Sequence, residues 1–195
     1  MPSSTSLKSL IISLFIFATS LNAQNAEPGN SRKIGDCVIQ PKTHCPGADL
    51  RHANLQQANL AGANLRGAKL ARADLRHANL RGANLQGADL DGINGWAAFF
   101  QGAVLDNASL RGANLEFARF SGARLVGANM QASNLEMAWM SKVRLEKVNL
   151  RNANLQEAKF YYADFLGADL RGANIRYGIF QGARMTDCLG CPFDW

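Results

Sequence analysis

One large apolar residue recurs at every fifth position over most of this chain. From Leu50 the series runs through Leu55, Leu60 and Leu65 to Leu90, then from Phe100 through Leu115, Phe120, Met130 and Phe160 to Met185. Two positions before each stands a small side chain, nearly always Ala; Val143, Val148 and Gly178 are among the exceptions. A helix repeats at about 3.6 residues and a strand at about 2, so a period of five would smear these leucines around either element. Only a backbone that turns through a fixed angle every five residues keeps them on one side. That is a coil with a narrow apolar bore.

If four units make one square turn, coils stack every twenty residues at about 4.8 Å, the spacing of paired β backbone. About 28 units then give about seven coils and a rod of roughly 34 Å. Each inward Leu or Phe contributes about 1.5–3 kcal/mol on burial. Typical units are Ala63-Asn64-Leu65-Arg66-Gly67 and Ala113-Asn114-Leu115-Glu116-Phe117. This A-(N/D)-L-x-x unit resembles the pentapeptide-repeat family over residues 48 to about 187. The resemblance implies an all-β, right-handed quadrilateral β-helix.

The ends read differently. Lys8, the apolar run Leu10–Phe17 and the small residues to Ala23 have the order of a secretory signal, too short for a permanent span. The expected organisation is a signal peptide over 1–23 (cleavage after Ser20 is the alternative), a linker and cap over 24–47, the β-helix over 48–187 and a cap over 188–195. Export to the periplasm or the extracellular space follows, with no membrane span after cleavage. Cys37 and Cys45 precede the repeats, and Cys188 and Cys191 follow them. About seven coils separate the pairs by roughly 30 Å, so bridges have to be local, Cys37–Cys45 and Cys188–Cys191. They would pin caps over the exposed coil ends, with Ile34–Gly47 covering the start and Phe193 and Trp195 the end.

Folding the sequence at twenty sorts the outward residues into columns. Asn54, Asp74, Asn94, Asn114, Asn134, Asn154 and Asn174 form a structural amide ladder. Arg51, Arg111, Arg151 and Arg171 form a loosely basic stripe. Phe99, Phe117, Met137, Trp139, Tyr177 and Ile179 fall near one corner, with Trp96 close by. Outward apolar side chains clustered in this way mark an interaction surface, for a protein partner or for self-association. The frame has one defect: Gly95 stands where a large residue belongs and Ile93 where a small one does. A local distortion of that side is expected, with Trp96 covering the vacated space.

No catalytic constellation is present in the sequence. His44, His52 and His77 lie beside no nucleophile, acidic residues are dispersed, and Cys37, His44 and Cys45 lack a further ligand pair at zinc-site spacing. No cofactor or metal is expected. Three function classes remain: a non-enzymatic exported scaffold or protein-interaction module, a topoisomerase modulator that mimics DNA (a role known in the family), and a thiol–disulfide oxidoreductase using Cys188 and Cys191. Residues 46–187 carry about 17 basic and 12 acidic side chains, the wrong sign for a mimic of an anionic polymer. The Cys-x-x-Cys spacing lacks the helical context that activates such a thiol.

Overall fold

A computed structural model describes residues 32–192. The expected signal peptide, the first part of the linker, and Phe193 and Trp195 lie outside these residues. The described chain winds as a four-sided coil. Parallel bridges join each residue to the one twenty further on, from His44↔Asn64 to Asp169↔Leu189. The rungs fall into four ladders. We call the side carrying His44 and Asn64 face A, that of Asp49 and Lys69 face B, that of Asn54 and Asp74 face C, and that of Asn59 and Asn79 face D.

Hydrogen bonding explains why the unit has five residues. In a typical unit the inward residue donates its N–H to the next coil (Leu50 N to Lys69 O, 2.7 Å), and so does the second corner residue (His52 N to Ala71 O, 3.0 Å). The rung residue donates to the previous coil (Lys69 N to Ala48 O, 2.9 Å). The small residue closes the corner turn (Ala53 N to Leu50 O, 3.1 Å). One N–H per unit is left, and a buried or half-buried donor needs an acceptor. The Asn or Asp of the repeat supplies it, as in Gln56 N to Asn54 Oδ1 at 3.1 Å and Leu166 N to Asp164 Oδ1 at 3.1 Å. The preferred polar residue of the unit is therefore a backbone cap. It also links coils, since Asn154 Nδ2 donates to Asn134 Oδ1 and Asn174 Nδ2 to Asn154 Oδ1, both at 3.0 Å.

The bore is filled as the five-residue series requires. Leu55 through Leu90, Phe100, Leu115, Phe120 and Phe165 are all buried, with Ala63 through Ala168 packed between them. Phe100 and Phe120 stack at 4.6 Å, and Phe160 and Phe180 at 5.0 Å. The second corner residue takes positive φ, 64° at Gly67 and 60° at Gly112, where glycine carries no Cβ penalty.

The defect at Gly95 is resolved differently from the expected distortion. The ladder continues unbroken, with Asn94 paired to both Asp74 and Asn114. A Cβ on Gly95 would lie 2.9 Å from Leu115 Cδ2 and 3.5 Å from Ile93 Cδ1. Ile93, itself buried, and Leu115 of the next coil have therefore filled the space from within. Trp96 does not cover it; its ring packs outside, against His77 and Phe117. Large and small residues have exchanged places at nearly constant volume.

At the start, β1 (Lys33–Ile34) and β2 (Cys37–Val38) form a short antiparallel hairpin. Ile34 and Ile39 pack against the core, and Cys37 is joined to Cys45 with Cα atoms 5.5 Å apart. Cys45 occupies an inward slot, and its N–H donates to Asn64 O, so the coil begins one unit before the sequence frame. At the other end Cys188 takes a small-residue slot and is joined to Cys191, Cα atoms 5.7 Å apart. An open hollow of about 560 Å³ at the last coil is lined by Ile179, Phe180, Met185 and Pro192.

A candidate interaction face

Face D breaks the capping rule. From the third rung onward it carries Phe99, Arg119, Trp139, Lys159 and Ile179, five consecutive rungs with neither Asn nor Asp. The first corner residues that follow, such as Ser121 and Tyr161, have no amide or carboxylate acceptor two residues upstream. These side chains stack along the column instead. The guanidinium of Arg81 lies 4.4 Å from the Phe99 ring centroid and that of Arg119 lies 5.4 Å from it. Lys159 Nζ sits 3.9 Å from the Trp139 centroid. Such contacts contribute about 0.5–1 kcal/mol at exposed sites.

The corner between faces C and D departs from a second rule. Its positive-φ position is filled by Gln57, His77, Ala97, Phe117, Met137, Glu157 and Tyr177, with no glycine in any turn. Every other corner has several glycines there. Positive φ costs an L-residue roughly 1–2 kcal/mol, and bulky side chains rarely adopt it. Phe117 (φ 58°), Met137 (55°) and Tyr177 (58°) are held in it nonetheless.

The candidate residues separate into two groups. Trp96, Phe117, Met137 and Tyr177 line this corner, where Trp96 meets Phe117 edge-on at 5.9 Å and His77 at 4.8 Å. Phe99, Trp139 and Ile179 stand on the adjoining face D, with cations between them. Trp96, Phe99, Met137 and Ile179 are half-buried, so the surface is less purely apolar than the column pattern suggests. Among the described residues the exposed aromatics are Phe117 (38%), Trp139 (45%), Tyr177 (64%) and Tyr162 (62%). Tyr162 escapes a reading centred on one corner because it stands on the opposite edge of face D, its ring lying over Gly182.

Elsewhere much of the surface charge is paired. Arg51 holds Asp49 and Arg171 holds Asp169 through paired hydrogen bonds, and both carboxyls are pulled down to about 2. Burial pushes the Asp91 carboxyl up, but hydrogen bonds from Ser109 and Arg111 outweigh it and leave the group below its ordinary value. Asp106 and Glu146, dispersed in sequence, are buried at one corner, tied to Arg124 at 2.6 Å and Arg144 at 2.8 Å. Asp106 and Glu146 are thus each held in an ion pair. Cys188 closes a turn within a β rung, its N–H bonded to Met185 O, and does not stand at a helix N-terminus.

The pentapeptide-repeat model matches in overlapping stretches over residues 43–94 and 98–187, well over half of the sequence. The chain belongs to the pentapeptide-repeat family. Its fold is the right-handed quadrilateral β-helix of that family. A trypsin-treated variant of QnrB1, described as a plasmid-mediated fluoroquinolone resistance protein, superposes with a TM-score of 0.61 at 17% identity, over 74% of this chain and 81% of that one. The pentapeptide-repeat protein Rfr23 from the cyanobacterium Cyanothece 51142 is 32% identical over 47% of this chain and 63% of its own, with a TM-score of 0.46. No curated protein matches significantly. Among the described residues of this pentapeptide-repeat protein, no helix is long and apolar enough to cross a membrane.

Proposed function

We propose that the chain is a non-enzymatic, exported scaffold whose face D and glycine-free corner contact another macromolecule. The observation that carries this reading is the retention of Phe117, Met137 and Tyr177 at strained corner positions that glycine would occupy without cost. Non-glycine residues take positive φ at the other corners too, but only here do they do so in every turn, and strain concentrated on one corner is a sign of use there. Exposed aromatics gathered around the same side support it. The order of residues at the N-terminus and the two local disulfides support export to an oxidising compartment. The basic excess weighs against DNA mimicry.

A photo-reactive residue placed at Trp139 and, as a control, at Asn134 on face C tests the reading in the native host. Adducts from position 139 alone are the expected outcome. Equal labelling from both positions would remove the case for face D. Intact mass of the fractionated protein, before and after reduction, tests export: a species starting near Gln24 with all thiols blocked is expected.

A further inference from the structure

Resting on that reading, we propose that the partner of face D is an anionic lipid surface, on which the rod lies flat. The first observation is where unneutralised positive charge stands. Eight arginines, among them Arg111, Arg124, Arg144 and Arg184, are in ion pairs with Asp or Glu. Among the described residues Arg81, Arg119, Lys142 and Lys159, on face D and its far edge, make none and are placed over aromatic rings or at the corner, whereas Arg66, Lys69, Arg72 and Lys147, also without an ion pair, share their columns or corners with Asp or Glu. Three carboxylates, Glu116, Glu136 and Glu157, stand on the glycine-free corner, and none stands at the outward positions of face D or of its far edge across to Tyr162. Charge complementarity therefore calls for an anionic partner.

The second observation is shape. The aromatics occupy both edges and the middle of one β side whose rungs are joined without interruption. From the Phe99 rung to the Ile179 rung is four spacings, about 19 Å. A linear polymer would be held in a groove, whereas residues spread over the width of a flat side meet a plane. Ring orientation adds a third constraint. Phe99 is sandwiched between Arg81 and Arg119, which leaves it no open face for stacking a nucleobase, and Lys159 covers one face of Trp139. Trp and Tyr beside Lys and Arg are what a headgroup region accommodates: amphipathic rings at the boundary and cations against phosphate.

The full chain is to be sedimented with vesicles of phosphatidylcholine containing about 30 mol % phosphatidylglycerol. Each cation near such a surface is worth about fivefold in partition, so Arg119→Gln with Lys159→Gln should weaken binding about 30-fold. Arg111→Gln with Arg171→Gln, the same change of net charge on the opposite side, should leave it unaltered. The N-terminal segment is common to all variants and cancels in the comparison. In a Trp96→Phe, Trp195→Phe background, brominated lipid should quench Trp139. Equal loss in both double variants, or no quenching, would overturn the lipid assignment. A protein adduct from position 139 without lipid retention would overturn it too, while leaving the interaction reading in place.

Discussion

Restoring the repeat at its single defect should harm the protein. Gly95→Leu returns the expected large residue to its slot, and on pattern alone it would be called stabilising. The structure opposes this, because the first added atom already falls 2.9 Å from Leu115 Cδ2, with Ile93 Cδ1 at 3.5 Å. Overpacking of this kind costs about 1–3 kcal/mol. Ile93→Ala alone empties the space and costs about 2–5 kcal/mol as a core truncation. Made together, the two changes recreate an ordinary Ala-Asn-Leu unit, and stability should come back to within about 1 kcal/mol of the parent. The coupling between the positions is then favourable by at least about 2 kcal/mol, in the upper part of the range for residues in contact or beyond it. Urea unfolding of the four proteins, followed by circular dichroism at 25 °C, reads it directly. A stabilised Gly95→Leu variant, or additive single changes, would refute the exchange of volumes.

Two further expectations concern the ion pairs and the ends. Arg171→Gln should move the Asp169 carboxyl from about 2 towards 3.8, with Arg151 at 3.9 Å keeping part of the shift; carboxyl-carbon NMR titration reports it. The sign follows from the lowered native value: what the pair contributes is present above about pH 4 and is lost as pH falls through about 2. The parent should therefore lose this contribution only in strong acid, and the variant should lack it throughout. Replacing Cys37 and Cys45 by Ala opens a loop of sequence separation 8 and should cost about 2.5 kcal/mol in a denaturant midpoint measured without reductant. An unchanged midpoint would show that the hairpin seats itself on the core without the bridge.

The inward series was legible in the sequence because its cause is local. A five-residue coil sends the same position inward every time, whatever the neighbours are. The Asn ladder was legible for the same reason, once the sequence was folded at twenty. The repair at Gly95 was not, since it depends on how far Leu115 of the next coil reaches across the bore. Trp96 looked like the filler because it is adjacent in sequence, while the atoms that fill the gap come from two residues before and twenty residues after. The character of face D was only half legible. Its aromatics stand out by composition, but Arg119 and Lys159 look like solvated charges until the column sets them over Phe99 and Trp139. Tyr162 was missed because it belongs to the far edge of the same side. The cysteines pointed to local bridges, yet nothing in their spacing indicated that Cys45 and Cys188 are themselves members of terminal rungs.

Two different arithmetics govern what this chain can gain or lose. The bore depends on position modulo five, and the surface on position modulo twenty. An insertion of one residue throws every downstream leucine out of the bore. An insertion of five keeps the bore intact but turns everything beyond it by a quarter revolution, so that Trp139 and Lys159 would emerge on a different side from Phe99. Only a duplication of twenty leaves both intact and simply lengthens each ladder by one rung. Change in the length of such a rod is therefore filtered twice, first for folding and then, four times more strictly, for the continuity of its faces.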